Sequence, residues 1–230
     1  VFYFNYESSN CGSGYAPTNQ TVTGASMLAN SADSGGSYGS DFMLLELNSS
    51  IPVSYNTYYN GWSRSNVPSN SGVGIHHPSG DRKKISTYIS SLNSTQWGVG
   101  SAPNNSHWVL NWSSGVTEGG SSGSPLFNSS GLIVGTLTGG LSYCDNPNGL
   151  DYYGKMSYHW QNNGVANNER LKPWLDPMNL NITNLDGTYP PGGGNSLTCN
   201  IALYTDSIGQ GDQIDFFGEC NSGTASYSWN

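Results

Sequence analysis

The chain has 230 residues, only 10% of them charged, and a formal net charge of −8. That acidity argues against a nucleic-acid partner, whose phosphates it would repel. No apolar run approaches the roughly 18 residues that a membrane span needs. With 31 Gly, 15 Tyr and 7 Trp, the composition predicts many short strands joined by turns, an all-β chain rather than a helical bundle.

In chain order, Val1-Phe2-Tyr3-Phe4-Asn5-Tyr6 reads as a strand. No signal peptide precedes it, so the sequence is expected to begin inside a fold. Alternating apolar patterns predict further strands at 42–47, 73–77, 84–89, 108–112, 132–137 and 152–158, separated by Gly/Ser/Asn/Pro clusters. One helix is predicted over 168–175, with Leu171, Trp174 and Leu175 on one face and Pro177 beyond its end. Residues 1–187 thus read as one domain. A Pro/Gly-rich linker is expected at 188–198, around Pro190-Pro191-Gly192-Gly193-Gly194. Residues 199–230 carry apolar positions at Ile201, Leu203, Ile214 and Phe216, and read as the start of a β-sandwich too short to fold alone.

Cys11, Cys144, Cys199 and Cys220 lack Cys-x-x-Cys spacing, so no zinc site, and no metal or cofactor, is expected. Scattered cysteines in a turn-rich, weakly charged chain suggest a secreted protein. Cys199 and Cys220 are candidates to pair with each other.

The most informative stretch is Gly119-Gly120-Ser121-Ser122-Gly123-Ser124-Pro125, leading into the apolar Leu126-Phe127. A nucleophilic serine must project from a tight bend, and glycines let backbone N–H groups converge where an acyl oxygen gains charge. The bland alternative is a Gly/Ser-rich loop. A serine nucleophile also needs a base, and the base an orienting carboxylate. Asp41 heads the apolar stretch Phe42-Met43-Leu44-Leu45 and is the candidate carboxylate. After the serine comes Thr136-Leu137-Thr138-Gly139-Gly140, an extended segment whose glycines leave room for a paired peptide.

The Gly-x-Ser-Gly-x-Pro pattern is similar to that of chymotrypsin-like serine proteases, and more of the chain fits. Ser40-Asp41-Phe42, Gly61-Trp62, Gly74-Ile75-His76-His77-Pro78, Trp97-Gly98, Gly115-Val116-Thr117-Glu118, residues 120–125, Asp151-Tyr152-Tyr153-Gly154-Lys155 and Trp174-Leu175-Asp176-Pro177 follow in order. Residues 1–187 therefore resemble the bacterial lysyl endopeptidases, secreted proteases that cleave after lysine. The resemblance implies a chymotrypsin-like double β-barrel, its first barrel incomplete, with a short C-terminal helix. It implies Ser122 as nucleophile, Asp41 as triad aspartate, and the N–H groups of Gly120 and Ser122 as oxyanion hole. Thr138, Gly139, Gly140 and Trp97 would line the substrate site, with the Thr138 hydroxyl near Asp41.

A lysine ammonium in a desolvated pocket needs a carboxylate. The trypsin position, six residues before the nucleophile, is held by Val116. The lysyl family's match falls instead on Asp151, which would otherwise read as an ordinary turn acid; Glu118 is the rival. The implied partners are lysine-containing peptides, and the protein is expected to be a monomer.

Two departures stand out. No histidine precedes Asp41, although the family's order is His, Asp, Ser. The chain is therefore expected to be truncated and inactive as it stands, its catalytic histidine upstream. His76 and His77 read as structural, and His107 and His159 match no motif. Thr138 replaces a histidine that stacks, in the best-known members, on a tryptophan at the Trp97 position. The resemblance also implies that Cys11 and Cys144 pair with N-terminal cysteines. The tail 199–230 bears a weaker likeness to PKD- or immunoglobulin-like sandwiches. The reading from a different class is a non-catalytic protease-like binding or adhesion module; a closer one is cleavage after arginine as well as lysine.

Overall fold

The computed structural model describes residues 1–10, 14–33, 37–98 and 102–190, and the strands at 199–202, 216–220 and 223–227. Cys11, most of the expected linker, Leu203 and Ile214 lie outside the described residues.

Short strands dominate, as the turn-rich composition requires. They are β1 (Phe2–Tyr3), β2 (Thr21–Val22), β3 (Ala25–Asn30), β4 (Met43–Leu47), β5 (Trp62–Ser63), β6 (Gly72–His76), β7 (Lys84–Tyr88), β8 (Asn93–Thr95), β9 (His107–Leu110), β10 (Pro125–Asn128), β11 (Ile133–Gly140), β12 (Asp151–Lys155) and β13 (Asn184–Leu185). Helix α1 spans Met156–Gln161 and α2 Lys172–Leu175. The all-β expectation holds. Among the described residues the strands pair as open sheets, with no closed barrel.

The large sheet runs β7-β6-β10-β11-β12-β9-β8, and β5 joins it alongside β11 and β13. Separate pairs are β1 with β2 and β3 with β4. Strand β11 is the organising element. Its apolar residues Val134 and Leu137 enter a core with Leu126, Trp108, Trp112, Tyr88 and Tyr153. Ile133, at its start, packs on a second core of Ala29, Phe42, Trp62, Met156, Trp160 and Leu171. The β3–β4 pair, which carries Asp41 beside Phe42, is thereby seated against the sheet that carries Ser122. Burying these aromatics removes large apolar areas from water, the main force fixing the two units together.

Three elements differ from expectation. The opening strand is confined to Phe2–Tyr3. The strand expected over 152–158 ends at Lys155, where the chain turns into α1. The helix expected over 168–175 is broken: a 3₁₀ turn spans Asn167–Glu169, Arg170 is extended, and α2 begins at Lys172. Pro173 sits in the first turn of α2, where its missing N–H costs nothing.

In the tail, Cys199–Ala202, Phe216–Cys220 and Gly223–Tyr227 form a three-stranded antiparallel sheet in sequence order. Its register sets Cys199 opposite Cys220.

Candidate active site

Ser122 lies at the exposed tip of the turn leading into β10. Gly120 and Gly123 flank it at φ +91° and +80°, a backbone region closed to most side chains. The turn is tied to β11 through two backbone bonds, Gly123 N–H to the Leu137 carbonyl (2.7 Å) and Leu137 N–H to the Ser124 carbonyl (2.9 Å). Ser121 N–H is taken by the Glu118 carbonyl and Ser124 N–H by the Ser121 carbonyl. Among the described residues, the amides of Gly120 and Ser122 have no protein acceptor.

Ser121 is distinguished from Ser122 by its surroundings. It is buried, accepts a hydrogen bond from the Glu118 amide, and meets His76 Nδ1 at 2.9 Å. His76 Nε2 meets Ser86 Oγ at 3.2 Å. Burial, then the neighbouring His77, pushes the His76 pKa down. With both ring nitrogens engaged, His76 braces the turn from below and has none free for Ser122. His77 packs on Tyr6 and meets the Asp81 carbonyl.

A cleft of about 670 Å³ is lined by Ser122, Gly123 and Leu137 on one side and by Asp33, Asp41 and Met43 on the other. The sequence-predicted nucleophile and carboxylate thus face one space, although 81 positions separate them. Asp41 adopts a left-handed backbone (φ +57°), a conformation aspartate tolerates better than most residues. Its N–H donates to Asp33 Oδ2 (2.9 Å). Burial holds its carboxyl above the ordinary range, the Thr138 hydroxyl bond opposes this, and the Asp33 charge adds to it.

A second cavity, of about 490 Å³, opens beside Ser122 and is lined by Thr117, Glu118, Gly139, Gly140 and Ser142, among others. Asp151 lies behind this wall, fully buried. Its Oδ2 accepts from Trp112 Nε1 and Thr117 Oγ1, both at 2.7 Å, and its Oδ1 from Ser142 N at 3.2 Å. Among the described residues no cation is ion-paired with it. Gly140 is required here, because a Cβ would collide with Asp151 Oδ1 and the Leu150 carbonyl. Glu118 lines the cavity itself and accepts from Cys144 Sγ at 3.1 Å. Trp97 stacks edge-on to Tyr152 and lies over Gly139, so it covers part of the extended segment 138–140.

Asp41, Gly139 and Gly140 therefore line cavities that Ser122 shares, Asp151 lies behind one of them, and Trp97 packs on Gly139. Two that matched no motif join them from behind. His107 meets Thr138 and His159 meets Thr136; no sequence signal marked either, since their partners lie 31 and 23 residues away. Among the described residues, no group of three or more His, Cys, Asp or Glu converges as a metal site would. No helix there is long and apolar enough to cross a membrane.

The family profile described as lysyl endopeptidase, C-terminal domain, matches residues 1–154, a span that contains Asp41, Ser122 and Asp151. The chain belongs to the lysyl endopeptidase family. A curated relative, the lysyl endopeptidase of Pseudomonas aeruginosa strain PAO1, is 35% identical over 167 residues, covering 66% of this chain and 33% of that protein. The chain thus spans about a third of that relative's length. Among solved structures, an inactive serine-to-alanine variant of Rv3671c from M. tuberculosis H37Rv overlaps at TM-score 0.38 and 13% identity, covering 61% of this chain and 63% of that one. Membership of the lysyl endopeptidase family carries the chymotrypsin-like, all-β fold expected from the sequence.

Proposed function

We propose that this chain supplies the nucleophile and specificity pocket of a secreted, monomeric serine endopeptidase that cleaves after lysine. The observation that carries the reading is Ser122, exposed between two cavities: one faces the Asp41 carboxylate, the other backs onto buried Asp151. Ser122 attacks the scissile carbonyl. A histidine outside this chain takes its proton, oriented by Asp41 from across the cleft. The acceptor-free N–H groups of Gly120 and Ser122 are suited to the oxyanion. Without that histidine the chain on its own turns over little.

For lysine, the support is electrostatic. Asp151 is a buried carboxylate without a counter-cation, a costly arrangement that an incoming ammonium relieves. Thr117 Oγ1 spends its proton on Asp151 and meets Ser142 Oγ at 3.5 Å, which leaves a lone pair for the ammonium. Thr117 thus passes the field of Asp151 to the cavity it lines. Gly139 and Gly140 leave the edge of β11 open to an extended peptide, with Trp97 beside it.

The low charge and scattered cysteines support an extracellular setting. Residues 199–230 are read as the start of a PKD- or immunoglobulin-like sandwich after a linker at 188–198. The opposed positions of Cys199 and Cys220 favour a disulfide between them.

The test compares lysyl and arginyl ester hydrolysis by the natural full-length protein and its Ser122→Ala variant. We expect preference for the lysyl ester and loss of at least about a thousand-fold in kcat on substitution. Equal rates on both esters would remove the lysine assignment. An unaffected Ser122→Ala variant would remove the nucleophile.

A further inference from the structure

We infer that His107 and His159 are positioning residues for Asp41, each acting through a threonine of β11. The inference rests on the proposed role of Asp41 and extends it to two buried histidines that the proposed chemistry leaves unused.

The geometry is a matched pair of hydrogen-bond chains. Behind Asp41, Ser40 Oγ meets His159 Nδ1 at 2.7 Å, His159 Nε2 meets Thr136 Oγ1 at 3.0 Å, and Thr136 Oγ1 donates to the Asp41 carbonyl at 3.3 Å. Beside it, Ser106 Oγ meets His107 Nδ1 at 2.7 Å and His107 Nε2 meets Thr138 Oγ1 at 3.1 Å; the Thr138 hydroxyl in turn favours the charged form of the Asp41 carboxyl. Each chain runs serine, histidine, threonine, Asp41. Thr136 and Thr138 share a face of β11 because strand side chains alternate, while the backbone of the intervening Leu137 holds the Ser122 turn. One strand segment therefore fixes both ends of the site.

Proton counting from the Asp41 end gives each link a direction that the proposal adopts. Asp41's carbonyl and carboxylate only accept, so each threonine hydroxyl spends its single proton on Asp41. Each threonine oxygen must then receive a proton from the histidine Nε2. Each neutral histidine is left with Nδ1 as acceptor, filled by the serine hydroxyl. Ser40 Oγ in turn accepts from Asn163 Nδ2 (2.8 Å), and Asn163 Oδ1, which takes the Ser40 amide proton (2.9 Å), is a second acceptor for the Ser40 hydroxyl at 3.1 Å, longer than the 2.7 Å to His159 Nδ1. The Ser40 carbonyl lies so close to Gly154 that a Cβ there would collide with it, which seats the chain just ahead of Asp41 on β12. His107 and His159 are fully buried; a protonated ring in either place would put a second donor against a serine that already donates.

The test labels histidines with ¹⁵N in the natural full-length protein and reads their tautomers across pH. Both His107 and His159 should be Nε2–H tautomers and stay neutral to about pH 5. An Nδ1–H tautomer at either histidine overturns that chain. In lysyl-ester assays, Thr136→Val should lower kcat roughly 10- to 100-fold with KM unchanged, and Thr136→Ser should restore it. Wild-type kcat in Thr136→Val would overturn the positioning role. If the wild-type protein hydrolyses no lysyl ester, the catalytic reading fails, and the tautomers still decide the hydrogen-bond chains.

Discussion

Asp151→Asn in the full-length protein is expected to lower kcat/KM for lysyl substrates by three orders of magnitude or more, the largest change in specificity that one substitution here should produce. Asparagine keeps the size of the side chain and can still accept from Trp112 Nε1 and Thr117 Oγ1. What disappears is the negative charge, together with the acceptor for the Ser142 N–H, so a lysine ammonium entering the cavity would be desolvated without compensation. An unpaired buried charge of that kind costs several kcal/mol, which at about 1.4 kcal/mol per tenfold corresponds to a thousand-fold or more. Reaction of Ser122 with a small neutral acylating agent should be unchanged, since Asp151 lies behind Thr117 and Ser142 rather than against the serine. Glu118→Gln is the control. Glu118 also lines the cavity, and if its loss, rather than that of Asp151, removes lysine cleavage, the specificity assignment moves to Glu118.

A steep loss of stability in mild acid should be the second large effect. Burial, then the nearby His107, holds the His159 pKa down at about 3, with the Gly154 carbonyl opposing. Burial, then Lys155, lowers that of His107 to about 4, with Asp33 opposing. The unfolded chain has ordinary histidines near 6.5. Between these values the unfolded state binds more protons than the folded one, so stability is full above about pH 6.5 and falls as the pH drops towards 4. At pH 4 each histidine should cost on the order of 2–3 kcal/mol. His76, also shifted down, acts in the same direction. Asp41 acts in the opposite direction, because its raised pKa lets the folded state take up a proton first. It is only half-buried and offsets part of the loss. Urea unfolding at pH 7 and pH 4 measures the sum; equal midpoints would show that the two histidines are not held neutral.

Much of this was legible in the chain. Strands at Gly72–His76, Lys84–Tyr88 and Ile133–Gly140 follow from apolar alternation bounded by glycine, serine and proline. The Ser122 turn followed from its glycines. Helix α1 was not legible: Met-Ser-Tyr-His-Trp-Gln has strand-favouring aromatics, no acidic first turn and no capping side chain at Lys155. It is held as a helix by burial of Met156 and Trp160 against Phe42 and Trp62, a tertiary effect that overrides local preference. The opposed faces of Ser122 and Asp41 came from the resemblance, since nothing local links positions so far apart. The histidine chains were hidden for the same reason: Ser40 and His159 are 119 residues apart. A buried histidine carries no local mark that separates it from an exposed one.

Ser122, and not its neighbours, is the proposed nucleophile. Treating the natural full-length protein with a fluorophosphonate and mapping the adduct by peptide mass spectrometry tests it most directly. The expected result is a single label on Ser122, lost in Ser122→Ala, with Ser121 and Ser124 untouched. A label on Ser121, or no label in a protein that hydrolyses lysyl esters, would contradict it.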